Sequence, residues 1–126
     1  MKKLTVLIVD DSSVMRKIVE RSLRQAGVEL EKVIEAGNGA DALILVQDNA
    51  VDLILTDVNM PKMDGIEFLR QLQAADPAKN IPVLMITTEG SEQRVMEAIS
   101  LGARGYIRKP FSADQVRQQV TQLLAV

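Results

Sequence analysis

Five strand-length apolar runs, each followed by a segment with helical spacing, constrain this chain more than any other feature: LTVLIV (4–9), EKVIEA (31–36), VDLILTD (51–57), IPVLMITT (81–88) and GYIRKP (105–110). The first is apolar at every position but Thr5, without the polar alternation of a strand that has one wet face. A strand apolar on both faces must be covered on both, and strands that alternate with helices run parallel through right-handed crossovers. The expected fold is therefore α/β, a doubly wound five-stranded parallel sheet with five helices. EKVIEA alternates more and reads as an edge strand, and Pro82 is tolerable only at the start of its strand.

Helix signals fill the gaps between these runs. Val14, Ile18, Val19 and Leu23 recur at helical spacing, with Ser12 or Ser13 as N-cap and Gly27 as the stop. GNGADALILV opens a second helix that ends near Asp48. Asp64-Gly65 is a turn signal before a helix striped by Ile66, Leu69 and Leu72. Ser91 is placed to cap a fourth helix carrying Val95, Met96 and Ile99, with Gly102 beyond its end. Ser112 begins a fifth, with Val116, Val120, Leu123 and Leu124 on one face. No repeat or linker divides the 126 residues, so a single domain over residues 1–126 is expected.

In open parallel sheets, ligands bind outside the carboxyl ends of the strands, where the strand order reverses. Asp10 and Asp11 follow the first strand, Asp57 ends the third, Thr87 and Thr88 the fourth, and Lys109 the fifth. Each has a structural reading of its own: acids suit a helix start, Asp57 suits a turn, Thr87 a strand, and Lys109 a solvated surface. Their convergence on one rim is harder to dismiss, because two carboxylates about 4 Å apart repel by roughly 1 to 4 kcal/mol. A hard divalent cation removes that penalty, and Mg²⁺ prefers a few carboxylates together with water and phosphate oxygens. A carboxylate such as Asp57 can attack phosphorus to give an acyl phosphate. Lys109 would pair with one phosphoryl oxygen and the Thr87 hydroxyl would donate to another, and positioning with charge neutralisation is most of what phosphoryl transfer requires.

Composition removes other chemistries. The chain has no Cys and no His, which excludes disulfides, thiol nucleophiles, imidazole ligands and Ser-His triads. A net charge of −2 without a dense basic run argues against nucleic acid as partner. Apolar runs of strand length only, and no leader pattern after Met1, lead to the expectation of a soluble, cytoplasmic protein with no membrane association.

In order and spacing, VLIVDDSSVMR, EAGNGADAL, LILTDVNMPKMDG, VLMITTEG and GARGYIRKPF resemble the receiver domain of two-component response regulators, of the single-domain chemotaxis (CheY-like) type, over essentially the whole chain. The resemblance implies a flavodoxin-like fold with strand order 2-1-3-4-5. It implies that Asp57 is the phosphoacceptor and that Mg²⁺ is the cofactor, held by Asp11 and Asp57 directly, by Asp10 through water, and by the backbone carbonyl of Asn59. Thr87 would be the switch hydroxyl, Lys109 the phosphate-pairing cation and Tyr106 the aromatic switch, with Lys109-Pro110 a cis peptide. The implied function is a phosphorylation-dependent signalling switch rather than an enzyme acting on outside substrates. A separate histidine kinase would be the phosphodonor. The signal would leave, in chemotaxis or motility, through contact of a monomer with a downstream protein target at the face of helix 4, strand 5 and helix 5. A stand-alone phosphorelay intermediate would use the same chemistry.

Rival readings rest on less. Gly37-Asn38-Gly39-Ala40-Asp41-Ala42 fits G-x-G-x-x-A, and Asp57 lies 20 residues beyond Gly37, as in a dinucleotide fingerprint; the preceding strand, however, is short and polar. A flavodoxin-like nucleotide-binding domain would need donors, not Asp10 and Asp11, after its first strand. Aspartate-based phosphatases place the nucleophile after the first strand with a second aspartate two positions on, whereas here the candidate is Asp57-Val58-Asn59, after the third.

Overall fold

In the computed structural model, which describes residues 3–75, 80–88 and 92–124, strands and helices alternate along the chain as the apolar runs require. The strands are β1 (Leu4–Val9), β2 (Leu30–Ala36), β3 (Leu53–Thr56), β4 (Val83–Thr87) and β5 (Gly105–Arg108). The helices are α1 (Ser13–Gln25), α2 (Gly39–Asp48), α3 (Gly65–Ala74), α4 (Glu92–Ser100) and α5 (Ala113–Leu124). Among the described residues the strands form one parallel sheet in the order β2-β1-β3-β4-β5. No helix among them is long and apolar enough to cross a membrane.

The continuous apolar character of the central strands follows from two cores, one on each face. Successive strand side chains point to opposite faces. Leu7 and Val9 of β1, Ile54 of β3, and Val83 and Met85 of β4 therefore pack with α2, α3 and α4 residues such as Val46, Phe68, Leu72 and Ala98. Their neighbours Val6, Ile8, Leu53, Leu55, Leu84 and Ile86 pack with Val19 and Leu23 of α1 and Val116 and Val120 of α5. Each large aliphatic side chain so buried contributes about 1.5–3 kcal/mol relative to exposure. A polar residue at any of these positions would face a covered surface on one side or the other.

Caps fix where the helices begin. Ser12 accepts from Met15 N (3.1 Å), Asn38 from Asp41 N (2.9 Å) and Asp64 from Glu67 N (2.8 Å), each satisfying a donor that the first turn leaves unpaired. At α5 the Ser112 hydroxyl accepts from Gln115 N while Gln115 Oε1 accepts from Ser112 N, a reciprocal capping box. The expected cap Ser91 lies outside the described residues. Gly27 and Gly102 end α1 and α4 with φ of 86° and 104°, the left-handed region that favours glycine.

Two helices are rotated from the expected apolar stripe. Val14 (68% exposed) and Ile18 (41%) face solvent, while α1 turns Val19, Ser22 and Leu23 inward. On α4, Met96 (61%) and Ile99 (52%) are exposed and Ala98 is the buried residue. Where apolar residues occupy overlapping i, i+3 and i+4 rows, spacing reveals a stripe but not which of its edges meets the sheet.

Candidate functional site

The register of β1 against β3 places the site. Ile8 pairs with Leu55 and Val9 with Thr56, so two residues further along the same row Asp10 lies opposite Asp57, on the α1/α5 face of the sheet. The ladder continues through both acids: Asp10 N donates to Ala36 O (3.0 Å) and Asp57 N to Val9 O (2.9 Å). They are 4% and 9% exposed, because they extend strands that are covered on both faces. Asp11 sits one residue on, exposed in the bend before α1. Carboxylate oxygens of Asp10, Asp11 and Asp57 all lie within 4.8 Å of one another.

Lys109 reaches this cluster from beyond β5. Its backbone N–H donates to Thr87 O (2.9 Å), and Lys109-Pro110 is a cis peptide, as the resemblance implied. Its Nζ donates to Asp10 Oδ2 (2.8 Å) and Asp57 Oδ2 (3.2 Å). The remaining oxygens of the two acids accept from backbone, Asp10 Oδ1 from Ser12 N (2.9 Å) and Asp57 Oδ1 from Val58 N (2.7 Å). Burial works to lower the pKa of Lys109, but the hydrogen bond to Asp10 and the charges of Asp57 and Asp10 outweigh it and hold the ammonium above the usual lysine range. One ammonium thus stands against three carboxylates. The donors are hard oxygens, and Asp11 leaves the cluster open to water, a set that fits a partly hydrated Mg²⁺.

The other expected residues lie at the end of β4, in the loop after Asp57 and on β5. Thr87 is the last residue of β4 and fully buried, and Thr88 beside it is exposed. Asn59 is exposed in the loop after Asp57. That loop is clamped by Gly65 N, which donates to Val58 O (2.8 Å), and a Cβ at Gly65 would overlap the Asp57 carbonyl oxygen, so the start of α3 rests on the Asp57 peptide. Tyr106 pairs with Met85 in β5 and packs on the other face, with the α2–α4 core. It lines a groove of about 450 Å³ with Val95 of α4 and Gln115 and Gln119 of α5.

Long-range partners escaped the sequence. Arg16 donates to the Asp10 carbonyl oxygen (2.6 Å) and to Glu35 (2.9 Å), and Lys17 donates to Glu35 as well (3.0 Å). Arg94 of α4 donates to Asp64, the α3 cap (3.3 Å). No local pattern ties these residues together. The glycine motif at 37–42 has only a turn's role: β2 is the sheet edge, and the N–H groups of Gly39 and Asp41 are taken by Met63 O and Asn38 Oδ1, both at 2.9 Å.

The family model for the response regulator receiver domain matches residues 6–121. The chain is 39% identical over 122 residues to the chemotaxis protein CheY-3 of Vibrio cholerae, covering 97% of this chain and 92% of that one. The high-resolution structure of Vibrio cholerae chemotaxis protein CheY4 superposes with a TM-score of 0.85 at 36% identity, covering 98% of this chain and all of the other. The CheX-CheY-BeF3-Mg+2 complex of Borrelia burgdorferi contains a chain that superposes with a TM-score of 0.87 at 33% identity, covering 98% and 90% of the two chains.

Proposed function

The chain belongs to the response regulator receiver domain family, and from that premise we propose that it is a phosphorylation-controlled signalling switch with Asp57 as the phosphoacceptor. The observation that carries this reading is the pairing of Lys109 with both Asp10 and Asp57 inside a cluster of three acids. In this role Asp10, Asp11, Asp57 and the Asn59 carbonyl hold Mg²⁺, which supplies charge neutralisation for phosphoryl oxygens when bound. An Asp57 oxygen attacks phosphorus of a phosphohistidine protonated on its other ring nitrogen, on a separate kinase; the P–N bond breaks, its electron pair stays on nitrogen, and neutral imidazole leaves. Lys109 exchanges an aspartate partner for a phosphoryl oxygen, and the Thr87 hydroxyl donates to another.

That exchange is the switch. Thr87 ends β4 opposite Arg108, two positions along the pairing from Met85 and Tyr106, and Tyr106 lines the groove between α4 and α5, so a change at Thr87 alters what the groove presents to a downstream protein. A modest bias between two packings is enough. The similarity to chemotaxis proteins supports an output in chemotaxis or motility, and in this reading the protein acts in the cytoplasm as a monomer. The Borrelia relative in its complex with CheX, BeF3 and Mg+2 supports the same ligand chemistry here.

Tyr106 is the one tyrosine and there is no tryptophan, so intrinsic emission reports this position alone. Beryllofluoride with MgCl2 is expected to change the emission of the wild type and leave Asp57→Asn unchanged. Identical traces from the two proteins would refute the proposal.

A further inference from the structure

Arg16 lies in the second turn of α1, mostly buried with its side chain 19% exposed, and does two things at once. Its Nη1 donates to the carbonyl oxygen of Asp10 at 2.6 Å, and its Nε donates to Glu35 of β2 at 2.9 Å. That carbonyl belongs to the peptide joining Asp10 to Asp11. A peptide is planar, so fixing the direction of its C=O fixes the direction in which the chain delivers Asp11. The N–H of Asp10 is already held by Ala36 O, and Asp10 Oδ1 accepts from Ser12 N. The Arg16 bond therefore completes the restraint on the bend that carries the acid pair.

A guanidinium placed here by itself would oppose a cation in the acid cluster. Glu35 offsets it: Oε1 takes Arg16 and Oε2 takes Lys17 at 3.0 Å. Hydrogen bonds from Lys17 and then Arg16 hold the Glu35 carboxyl below the usual glutamate range against the opposing effect of burial, so it stays ionised. We propose that Arg16, braced by Glu35, is a positioning residue that orients the Asp10–Asp11 peptide and so sets the affinity of the acid cluster for a divalent cation. The proposal rests on the metal reading above.

Two mechanisms predict opposite signs, which makes the test decisive. Removing a cation near the acids favours metal binding through charge alone. Loss of orientation weakens it, and removing a group that orients a metal ligand typically reduces affinity about tenfold or more. MgCl2 titrations followed on the Asp11 and Ser12 amides by NMR compare the wild type with Arg16→Met, Arg16→Lys and Glu35→Gln. Expected are Mg²⁺ dissociation constants about tenfold weaker in Arg16→Met, partly recovered in Arg16→Lys, and weaker in Glu35→Gln. Metal-free protein gives a second readout: the Ser12 amide is expected to exchange about tenfold faster in Arg16→Met, as its bond to Asp10 loses support. Affinity equal to or tighter than wild type in folded Arg16→Met overturns the proposal, as does unchanged Ser12 exchange. If Arg16→Met does not fold, wild-type affinity in Glu35→Gln overturns it. A wild type that fails to respond to Mg²⁺ instead sinks the metal reading, leaving the exchange rates to decide the role of Arg16.

Discussion

Replacing Lys109 by Met tests the electrostatics of the rim most fully, because the change removes a charge while keeping a long apolar stem. Lys109 bridges Asp10 and Asp57 at 2.8 and 3.2 Å, and both acids are nearly buried. Breaking such a pair leaves uncompensated charge and costs about 3 kcal/mol or more. At about 2.1 cal/mol/K per residue, the unfolding entropy of the 126-residue chain is roughly 0.26 kcal/mol/K, so a 3 kcal/mol loss lowers the melting temperature by about 12 °C. Added Mg²⁺ restores a counter-charge and raises stability by binding only the folded state. It also binds the variant more tightly, since a repulsion worth at least about 1 kcal/mol, roughly fivefold in affinity, is gone. Calorimetric melts at pH 7 with and without MgCl2 measure all three quantities. A variant that melts within about 3 °C of wild type, or that gains no more from Mg²⁺ than wild type does, refutes the reasoning.

Gly65→Ala is expected to unfold the protein or lower its stability by more than about 3 kcal/mol, because the new methyl group meets the Asp57 carbonyl rather than a mobile side chain; a thermal melt close to wild type would contradict that contact. Stability should hold across neutral pH and fall at both ends. Glu35, lowered by its hydrogen bonds, contributes fully above the usual glutamate value of 4.5 and loses its contribution as pH falls below it. Lys109, raised despite burial, contributes fully below the usual lysine value of 10.5 and loses its contribution as pH rises beyond it; denaturant midpoints against pH check both, and the alkaline limb should be smaller in Lys109→Met. On α1, Leu23→Ala is expected to cost about 3 kcal/mol and Ile18→Ala less than about 0.5, a contrast that urea melts would reverse if Ile18 faced the core.

Legibility in the sequence followed the range of the interactions. The buried strands announced themselves, since two-sided burial forces runs such as LTVLIV, and β1 spans those residues, Leu4–Val9. Asp10, Asp57 and Lys109 were readable because position at a strand's carboxyl end is a local property, and parallel strands bring them to one rim, while their contact also needs β1 beside β3. Strand order and the cis peptide came through resemblance, since nothing local encodes either. The facing of α1 and α4 was not legible because Val14, Ile18, Met96 and Ile99 sit in apolar rows adjoining the buried ones. Arg16–Glu35 and Arg94–Asp64 were invisible for a different reason. Pairing between residues far apart in sequence depends on which helix lies over which strand.

The central claim is that Asp57 becomes acyl-phosphorylated in a site built from Asp10, Asp11 and Lys109. Intact-mass spectrometry with peptide mapping, after incubation with acetyl phosphate and MgCl2, tests it directly. The account predicts one phosphoryl group on the wild type, mapped to Asp57, lost when Mg²⁺ is chelated and absent from Asp57→Asn. Phosphorylation of Asp57→Asn to the same extent, or none on the wild type with Mg²⁺ present, would contradict it.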